Sequence, residues 1–422
     1  MRFLSLHMKD FRGTRELEIG FEPDVTVIVG RNGAGKTSIL DALAICTRFS
    51  REHSKRPNTA GFYVQGSSQD IRIDADNSLL GLKYGFETEG PNSAPYHVDT
   101  LQLMIQNDGR ISSADDLQVL LEEAKVISFW PHLIYCRQNR GFTFEASLSH
   151  SGDLGDVPDT DIFPDRPLDE DGNAIAELER WWDRRDAQEA RRVRDGERDY
   201  RDPQLEAVRE LIARIDSFSS VAFNSTASPP GLHFVKSDGT PVHVSGLSGG
   251  ERAYIVLLAD LARRLQVFAP GKTLDEIPAI VLIDEVELNL HPGWQSEIVP
   301  TLTDIFRACQ FIVTTHSPQV LSGVDSAKVR VIEEDVSDRS WKVTVPLSTR
   351  GRTSNYLLEG VLGAQERYPP IETLIRDFNA AIDQENVPAA TEALDEIERE
   401  IGDDASTLLV LRKRLKTLRS RA

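Results

Sequence analysis

The 422-residue chain predicts an α/β fold: a mixed sheet carrying helices, a strand-and-helix insertion, and a C-terminal helical tail. Three observations point there. An apolar strand, a glycine-rich loop and an amphipathic helix follow one another from Val25 to Ala44. Strand and helix alternate again from Glu251 to residue 335, and beyond residue 354 apolar positions recur at helical spacing.

The elements justify themselves in order. Phe3–Met8, Leu17–Phe21 and Val25–Val29 are short strand-like runs, and Gly30 ends the third. After Lys36, the residues Ile39, Leu40, Leu43 and Ala44 fall on one helical face. Strands are expected at Leu79–Glu87, His97–Ile105 and His132–Cys136, and a helix at Asp115–Ala124. Residues 150–172, rich in Asp, Gly and Pro, read as a loop, and Asp74-Ala75-Asp76 as a turn. Glu177–Asp202 holds 9 acidic and 8 basic residues, the mark of a solvated helix face or a docking arm, with Trp181 and Trp182 as packing residues or anchors. His233–Val244 reads as a hairpin turning at Ser237-Asp238-Gly239. A helix from Glu251 to Val267, a strand Ala279–Ile283, a helix Trp294–Arg307 and a strand Phe311–Thr314 complete the alternation. Tail helices are expected at Ile371–Ile382, Ala389–Ile401 and Ala405–Leu418. The domain reading is a core of residues 1–50 and 200–350, an insertion at 51–199 and a helical region at 351–422.

Composition narrows the class. The 40% apolar content suits a packed core, and no run approaches the roughly 20 apolar residues of a membrane span. The first residues are too polar for a signal peptide, so a cytoplasmic location is expected. Cys46, Cys136 and Cys309 show no metal-type spacing and read as small core residues. A formal charge of −19 argues against nucleic-acid binding over the whole surface, while leaving room for a local basic channel. Arg48, Arg51, Lys55 and Arg56 form one small basic cluster.

Four motifs carry chemistry. Gly30-Arg31-Asn32-Gly33-Ala34-Gly35-Lys36-Thr37, followed by Ser38, is a complete phosphate loop. Phosphates need backbone N–H groups turned inward, glycines permit that curvature, and the helix N-terminus adds partial positive charge. Lys36 is placed to reach the β- and γ-phosphates of ATP, and the Thr37 hydroxyl to ligate Mg²⁺. Ala279–Ile283 reads as a buried strand ending in Asp284-Glu285, where Asp284 can hold the metal shell and Glu285 can orient the attacking water. Leu247-Ser248-Gly249-Gly250-Glu251 again frees backbone at a helix start, so Ser248, Gly249 and Gly250 are candidate nucleotide contacts. Phe311–Thr314 delivers His316 to the sheet's C-terminal edge, with Ser317-Pro318 suited to start a helix.

In this order the motifs resemble those of the SMC/RecF branch of ABC ATPases. Leu247–Glu251 looks like the ABC signature, and His316 like the switch histidine that senses the γ-phosphate. Glu287–Pro292 stands where such proteins carry the D-loop, with His291 in place of the usual Asp. Asp10-Phe11-Arg12-Gly13 is similar to a turn of SMC and RecF proteins, which would bring Arg12 to the phosphates; otherwise Arg12 is a surface residue. Gln138 is the candidate Q-loop glutamine and metal contact. The stretches Ile280–Pro300 and Cys309–Leu321 are similar to the AAA_21 group of ATP-binding proteins, which takes in OLD-like ATPases and the PtuA type of Septu and retron defence systems.

The resemblance implies ATP hydrolysis with Mg²⁺ at a site shared by two copies, as a homodimer or an oligomer of dimers. OLD proteins add a nuclease domain after the core. The residues following His316 are too few, and offer no matching acidic constellation. A separate nuclease or other effector is therefore implied, in nucleic-acid metabolism or anti-phage defence. A RecF-like repair factor binding DNA directly is the alternative. A transporter subunit fits less well, because Ser248 follows Lys36 by 212 residues and no membrane-coupling segment is visible.

Overall fold

A computed structural model describes residues 1–55, 64–65, 67–86, 97–113, 132–137, 173–334, 341–363, 369–402 and 406–420. The expected helix Asp115–Ala124, the loop 150–172, Gln138 and Arg56 lie outside the described residues. The chain divides into two units, Met1–Ser354 and Asn355–Ala422.

In the first unit the strands run β1 (Arg2–Phe11), β2 (Thr14–Gly20), β3 (Val25–Gly30), β4 (Val64–Gln65), β5 (Asn77–Phe86), β6 (His97–Gln106), β7 (Arg110–Ser113) and β8 (His132–Cys136). Helix α1 (Lys36–Lys55) follows β3. Then come α2 (Asn173–Arg194), α3 (Pro203–Ala213), a small sheet of β9 (Phe218–Asn224), β10 (Gly231–Lys236) and β11 (Pro241–His243), and α4 (Gly249–Phe268). The remainder is β12 (Ala279–Ile283), α5 (Pro292–Gln295), α6 (Ile298–Ile305), β13 (Gln310–Thr314), α7 (Pro318–Ser322), β14 (Val329–Glu334) and β15 (Trp341–Thr344).

Among the described residues these strands make two six-stranded sheets. One has the order β2-β1-β5-β6-β7-β4 with antiparallel neighbours. The other has the order β15-β14-β3-β13-β12-β8 and is parallel except where β15 pairs with β14. Residues 64–113 thus continue the sheet begun by residues 2–20, and His132–Cys136 adds a strand to the parallel sheet. Strands β3, β12 and β13 are buried at every position, as parallel strands covered on both faces must be.

Helix α1 joins the two sheets. Its Ile39, Leu40, Leu43 and Cys46 share one core with Phe3, Leu6 and Met8 of the first sheet and Ile280, Leu282 and Ile312 of the second. Cys46 and Cys309 are buried, as expected, and burial pushes both thiols up to about 12; Cys136 is only partly covered. Trp181 and Trp182 of α2 are fully buried, so the charge-dense stretch has a packed face as well as a solvated one.

The helix expected over Trp294–Arg307 is two helices, α5 and α6, parted at Ser296-Glu297. Pro300 has no N–H to donate and suits a first turn, so the second helix starts at Ile298 instead of continuing the first. The 237–239 hairpin lies where expected, and the turn expected at Asp74-Ala75-Asp76 falls at Ile73-Asp74 with a bend at Asp76.

The second unit carries α8 (Ser354–Gly360, beginning at the boundary), α9 (Pro369–Asp383), α10 (Val387–Ile401) and α11 (Ser406–Arg419). Phe378, Ala390, Leu394, Ile397, Leu408, Leu411 and Leu415 form its core, matching the helical spacing of the tail.

Candidate functional site

Parallel order puts the C-terminal ends of β3, β13, β12 and β8 along one edge, where open α/β sheets bind ligands. The loop after β3 is the phosphate loop. Gly33 and Gly35 have φ of 82° and 81°, a left-handed backbone that glycine adopts without strain. A Cβ on Gly30 would stand 2.7 Å from the Ile332 carbonyl oxygen of β14, so close packing excludes any side chain there. Arg31, Asn32 and Gly33 are exposed at the loop's crest, and Ser38 is partly covered in the first turn of α1.

The Lys36 ammonium donates to the Gly30 and Arg31 carbonyls, each at 3.0 Å, and is held across the loop's mouth. Burial lowers its pKa, and Asp284, Glu285 and Glu287 oppose that shift. The Thr37 hydroxyl donates to Asp284 Oδ2 at 2.8 Å. Two hard oxygen donors from β12 and the phosphate loop thus share one place, which fits Mg²⁺ chemistry.

Asp284 is 2% exposed, and its other oxygen accepts from Thr314 Oγ1 at 2.5 Å. Thr314 Oγ1 also accepts the Glu285 N–H at 2.8 Å, and the Thr314 carbonyl accepts the Val286 N–H at 3.0 Å. Glu285 itself sits at φ 49°, a left-handed conformation uncommon outside glycine that turns the chain at the end of β12. His316 is partly buried beyond β13, and its N–H donates to Glu287 Oε1 at 2.6 Å. Burial, then Lys36, lowers the imidazole's pKa. The structure therefore gathers Lys36, Thr37, Asp284, Glu285 and His316 at one sheet edge.

The signature turn is built differently. Ser248 caps α4 in a reciprocal capping box: its hydroxyl accepts the Glu251 N–H at 3.2 Å, and Glu251 accepts the Ser248 N–H at 2.7 Å. Ser248 and Gly249 are exposed. Gly250 lies against the D-loop-like turn, where a Cβ would meet His291 N at 3.0 Å. His291 caps α5 through Nδ1, which accepts the Gly293 N–H at 3.2 Å.

Arg12, at the β1–β2 turn, is bound to two carboxylates: Asp41 of α1 at 2.6 Å and Asp70 at 2.9 Å. Asp41 also accepts from Tyr135 Oη at 3.0 Å and Arg137 Nη2 at 2.8 Å. Arg12 is thus neither a plain surface residue nor aimed freely at the loop; it is held in a partly buried charge cluster centred one turn beyond Thr37. Arg137 is the residue before Gln138.

Sequence reasoning missed Thr314, Glu287 and Asp41. Glu287 and Thr314 both lie inside quoted stretches, but nothing local marks a Thr one residue before Thr315-His316 as a carboxylate partner.

Two comparisons bear on this geometry. Residues 138–322 match the AAA_21 model, described as an AAA domain, putative AbiEii toxin, Type IV TA system, and residues 5–127 match a second AAA domain model, AAA_23. The chain is 25% identical over 432 residues to the Retron Ec83 probable ATPase of Escherichia coli, covering 87% of this chain and 77% of that one. It is 23% identical over 397 residues to the Septu protein PtuA of Bacillus thuringiensis, covering 90% and 89%. A stretch of 47 residues, 11% of this chain, is 45% identical to the DNA replication and repair protein RecF of Anaeromyxobacter dehalogenans.

A phosphate loop between a buried parallel strand and a helix, facing an Asp-Glu pair on a neighbouring loop, defines a P-loop nucleotide hydrolase. Within that class the chain is an ATPase, similar over residues 138–322 to the AAA_21 group and over most of its length to the retron and Septu proteins.

Proposed function

We propose that this ATPase works as a dimer, each ATP held by one copy's phosphate loop and closed over by the other copy's Ser248-Gly249-Gly250 turn, and that this closing controls a separate effector in anti-phage defence. The observation that carries the dimeric reading is the exposed, backbone-rich turn at the N-terminus of the 20-residue helix α4. It offers N–H groups to an anion, yet it is folded against its own D-loop-like turn at His291. The retron and Septu relatives favour defence over repair, because their similarity runs through most of the chain. The RecF likeness is confined to 47 residues. A membrane role draws no support: among the described residues no helix is long and apolar enough to cross a membrane.

The chemistry is in-line attack of water on the γ-phosphorus. The new P–O bond forms as the bond to the β-phosphate oxygen breaks. Glu285 orients the water by accepting a hydrogen bond from it and takes up its proton as the new P–O bond forms. Lys36 and the loop N–H groups stabilise charge on the β- and γ-phosphates, and His316 meets the γ-phosphate from the end of β13. Thr37 and Asp284 would hold Mg²⁺, which supplies charge neutralisation for the phosphates. Ser248 and Gly250 of the second copy complete the enclosure.

The test is ATP turnover against protein concentration, with mass by light scattering and with or without DNA. Specific activity that rises with concentration, together with ATP-dependent dimers, supports the shared site. Turnover strictly proportional to concentration in a persistent monomer overturns it. Strong DNA stimulation would shift the reading toward direct DNA action.

A further inference from the structure

We propose that Glu287 is a positioning residue for hydrolysis: it holds His316 in place by accepting the His316 backbone N–H. This rests on the ATPase reading above and adds a role for Glu287, to which the D-loop resemblance assigns none.

Among the described residues, four hydrogen bonds between the turn after β12 and the end of β13 bear on the carboxylates and His316. Three of them end on Thr314: its hydroxyl to Asp284, the Glu285 N–H to that hydroxyl, and the Val286 N–H to its carbonyl. These fix the two carboxylates but stop two residues short of His316. The fourth is the 2.6 Å bond from the His316 N–H to Glu287 Oε1, and it alone among the four reaches the imidazole-bearing residue. A carboxylate acceptor makes this a short, charge-assisted bond.

Glu287 shares a turn with Glu285, since the Leu288 N–H bonds the Glu285 carbonyl at 3.0 Å and the Leu290 N–H bonds the Glu287 carbonyl at 2.9 Å. One turn therefore carries the water-orienting carboxylate and the anchor of the γ-phosphate-facing histidine. Its two ends cannot drift apart without breaking a bond. The neighbouring residue is held in the same way: the Ser317 hydroxyl bonds Gln295 Oε1 at 2.7 Å, and Gln295 Nε2 donates to the Leu290 carbonyl at 3.0 Å.

Keeping an acid here is costly. Glu287 Oε2 is buried with no hydrogen bond among the described residues, close to the charge of Glu285. A residue kept only to fill space would be apolar. The bond to His316 is what an apolar residue could not supply.

The experiment compares Glu287→Ala, Glu287→Gln, His316→Ala and the double variant Glu287→Ala/His316→Ala in steady-state ATP turnover, with ATP affinity and thermal unfolding measured in parallel. Removing the acceptor should lower kcat at least tenfold, with ATP affinity within about threefold of the parent, because Lys36 and Thr37 are untouched. Gln keeps an oxygen acceptor, so Glu287→Gln should recover kcat to within a few-fold. The double variant should be no slower than His316→Ala alone, since the anchor has nothing left to place. Three results would overturn the proposal: Glu287→Ala at the parent rate, additive losses in the double variant, or a Gln variant as impaired as the Ala variant. Failure of the parent chain to hydrolyse ATP would instead strike the ATPase reading, which separates the two.

Discussion

The Thr314 hydroxyl donates to Asp284 Oδ1 at 2.5 Å, and Thr314 Oγ1 in turn accepts the N–H of Glu285. One hydroxyl on β13 therefore sets the position of both acidic groups at the end of β12. Thr314→Val keeps the shape and removes the donor and acceptor. It leaves a buried carboxylate oxygen and an N–H unpaired, which costs about 2–4 kcal/mol. The expected result is a lowered unfolding temperature and turnover reduced at least tenfold. A variant with parental stability and rate would show that the carboxylates are held by other contacts.

Glu285→Gln preserves size and backbone while removing the charge to which the proposed mechanism gives the orienting of water. It should bind ATP as the parent does, accumulate as an ATP-bound dimer, and lose about 10²–10⁴-fold in turnover. Nucleotide retention after gel filtration and light-scattering mass measure the first two. Full turnover by this variant would remove Glu285 from its role.

Trans-completion by the signature turn makes a sharper demand. Lys36→Ala has a broken phosphate loop and an intact signature; Ser248→Arg has the reverse. Each alone should be inactive. A one-to-one mixture forms heterodimers with one complete site, so by statistical pairing roughly a quarter of parental activity should return. A mixture as inactive as its components would refute a site shared between copies.

Much of this site is legible in the sequence, and what is not has a physical reason. Strand β12 shows as an unbroken apolar run, and β3 as one interrupted only by Thr26, because both of their faces are covered, and the residues that follow them carry strong local chemistry. Glu287, Thr314 and Asp41 act through partners that the fold brings together: Thr314 and Asp284 are 30 positions apart, and Arg12 meets Asp41 and Asp70 across 29 and 58. No local pattern encodes such pairs. The sheet assignment shows the same limit. The N-terminal strands β1 and β2 and the strands of residues 64–113 form one antiparallel layer through cross-strand pairing that periodicity alone does not announce.

His316 is held below the ordinary histidine pKa by burial and then by Lys36, with Glu285 and Asp284 opposing. That direction favours the neutral imidazole, which can both donate and accept a hydrogen bond. Because the folded value is depressed, its contribution to stability is present above the unfolded value near 6.5 and is lost as pH falls from there through the folded value. An NMR titration of the ring should give a midpoint below that of a free histidine, and Lys36→Met should move it upward. A midpoint unaffected by Lys36 would separate the two groups.

Gln310 supplies the last test, because it ties the two sheets together. It is 1% exposed; its Oε1 accepts the Phe3 N–H at 2.8 Å, and its Nε2 donates to the Phe3 carbonyl at 2.8 Å and the Glu22 carbonyl at 2.9 Å. A strand of the parallel sheet thus satisfies the start of β1 and the β2–β3 connection. Gln310→Leu fills the same space but leaves one N–H and two carbonyls unpaired, a loss of about 3–5 kcal/mol. Gln310→Glu should be at least as harmful, since a carboxylate cannot donate to either carbonyl and would be a buried charge. Urea unfolding should show both variants with lower midpoints, while ATP affinity of the folded protein stays near that of the parent because no Gln310 atom touches the phosphate loop. An unchanged midpoint for Gln310→Leu would mean that β1 and β13 are held by their apolar packing alone, and that these three hydrogen bonds contribute nothing net to the joining of the sheets.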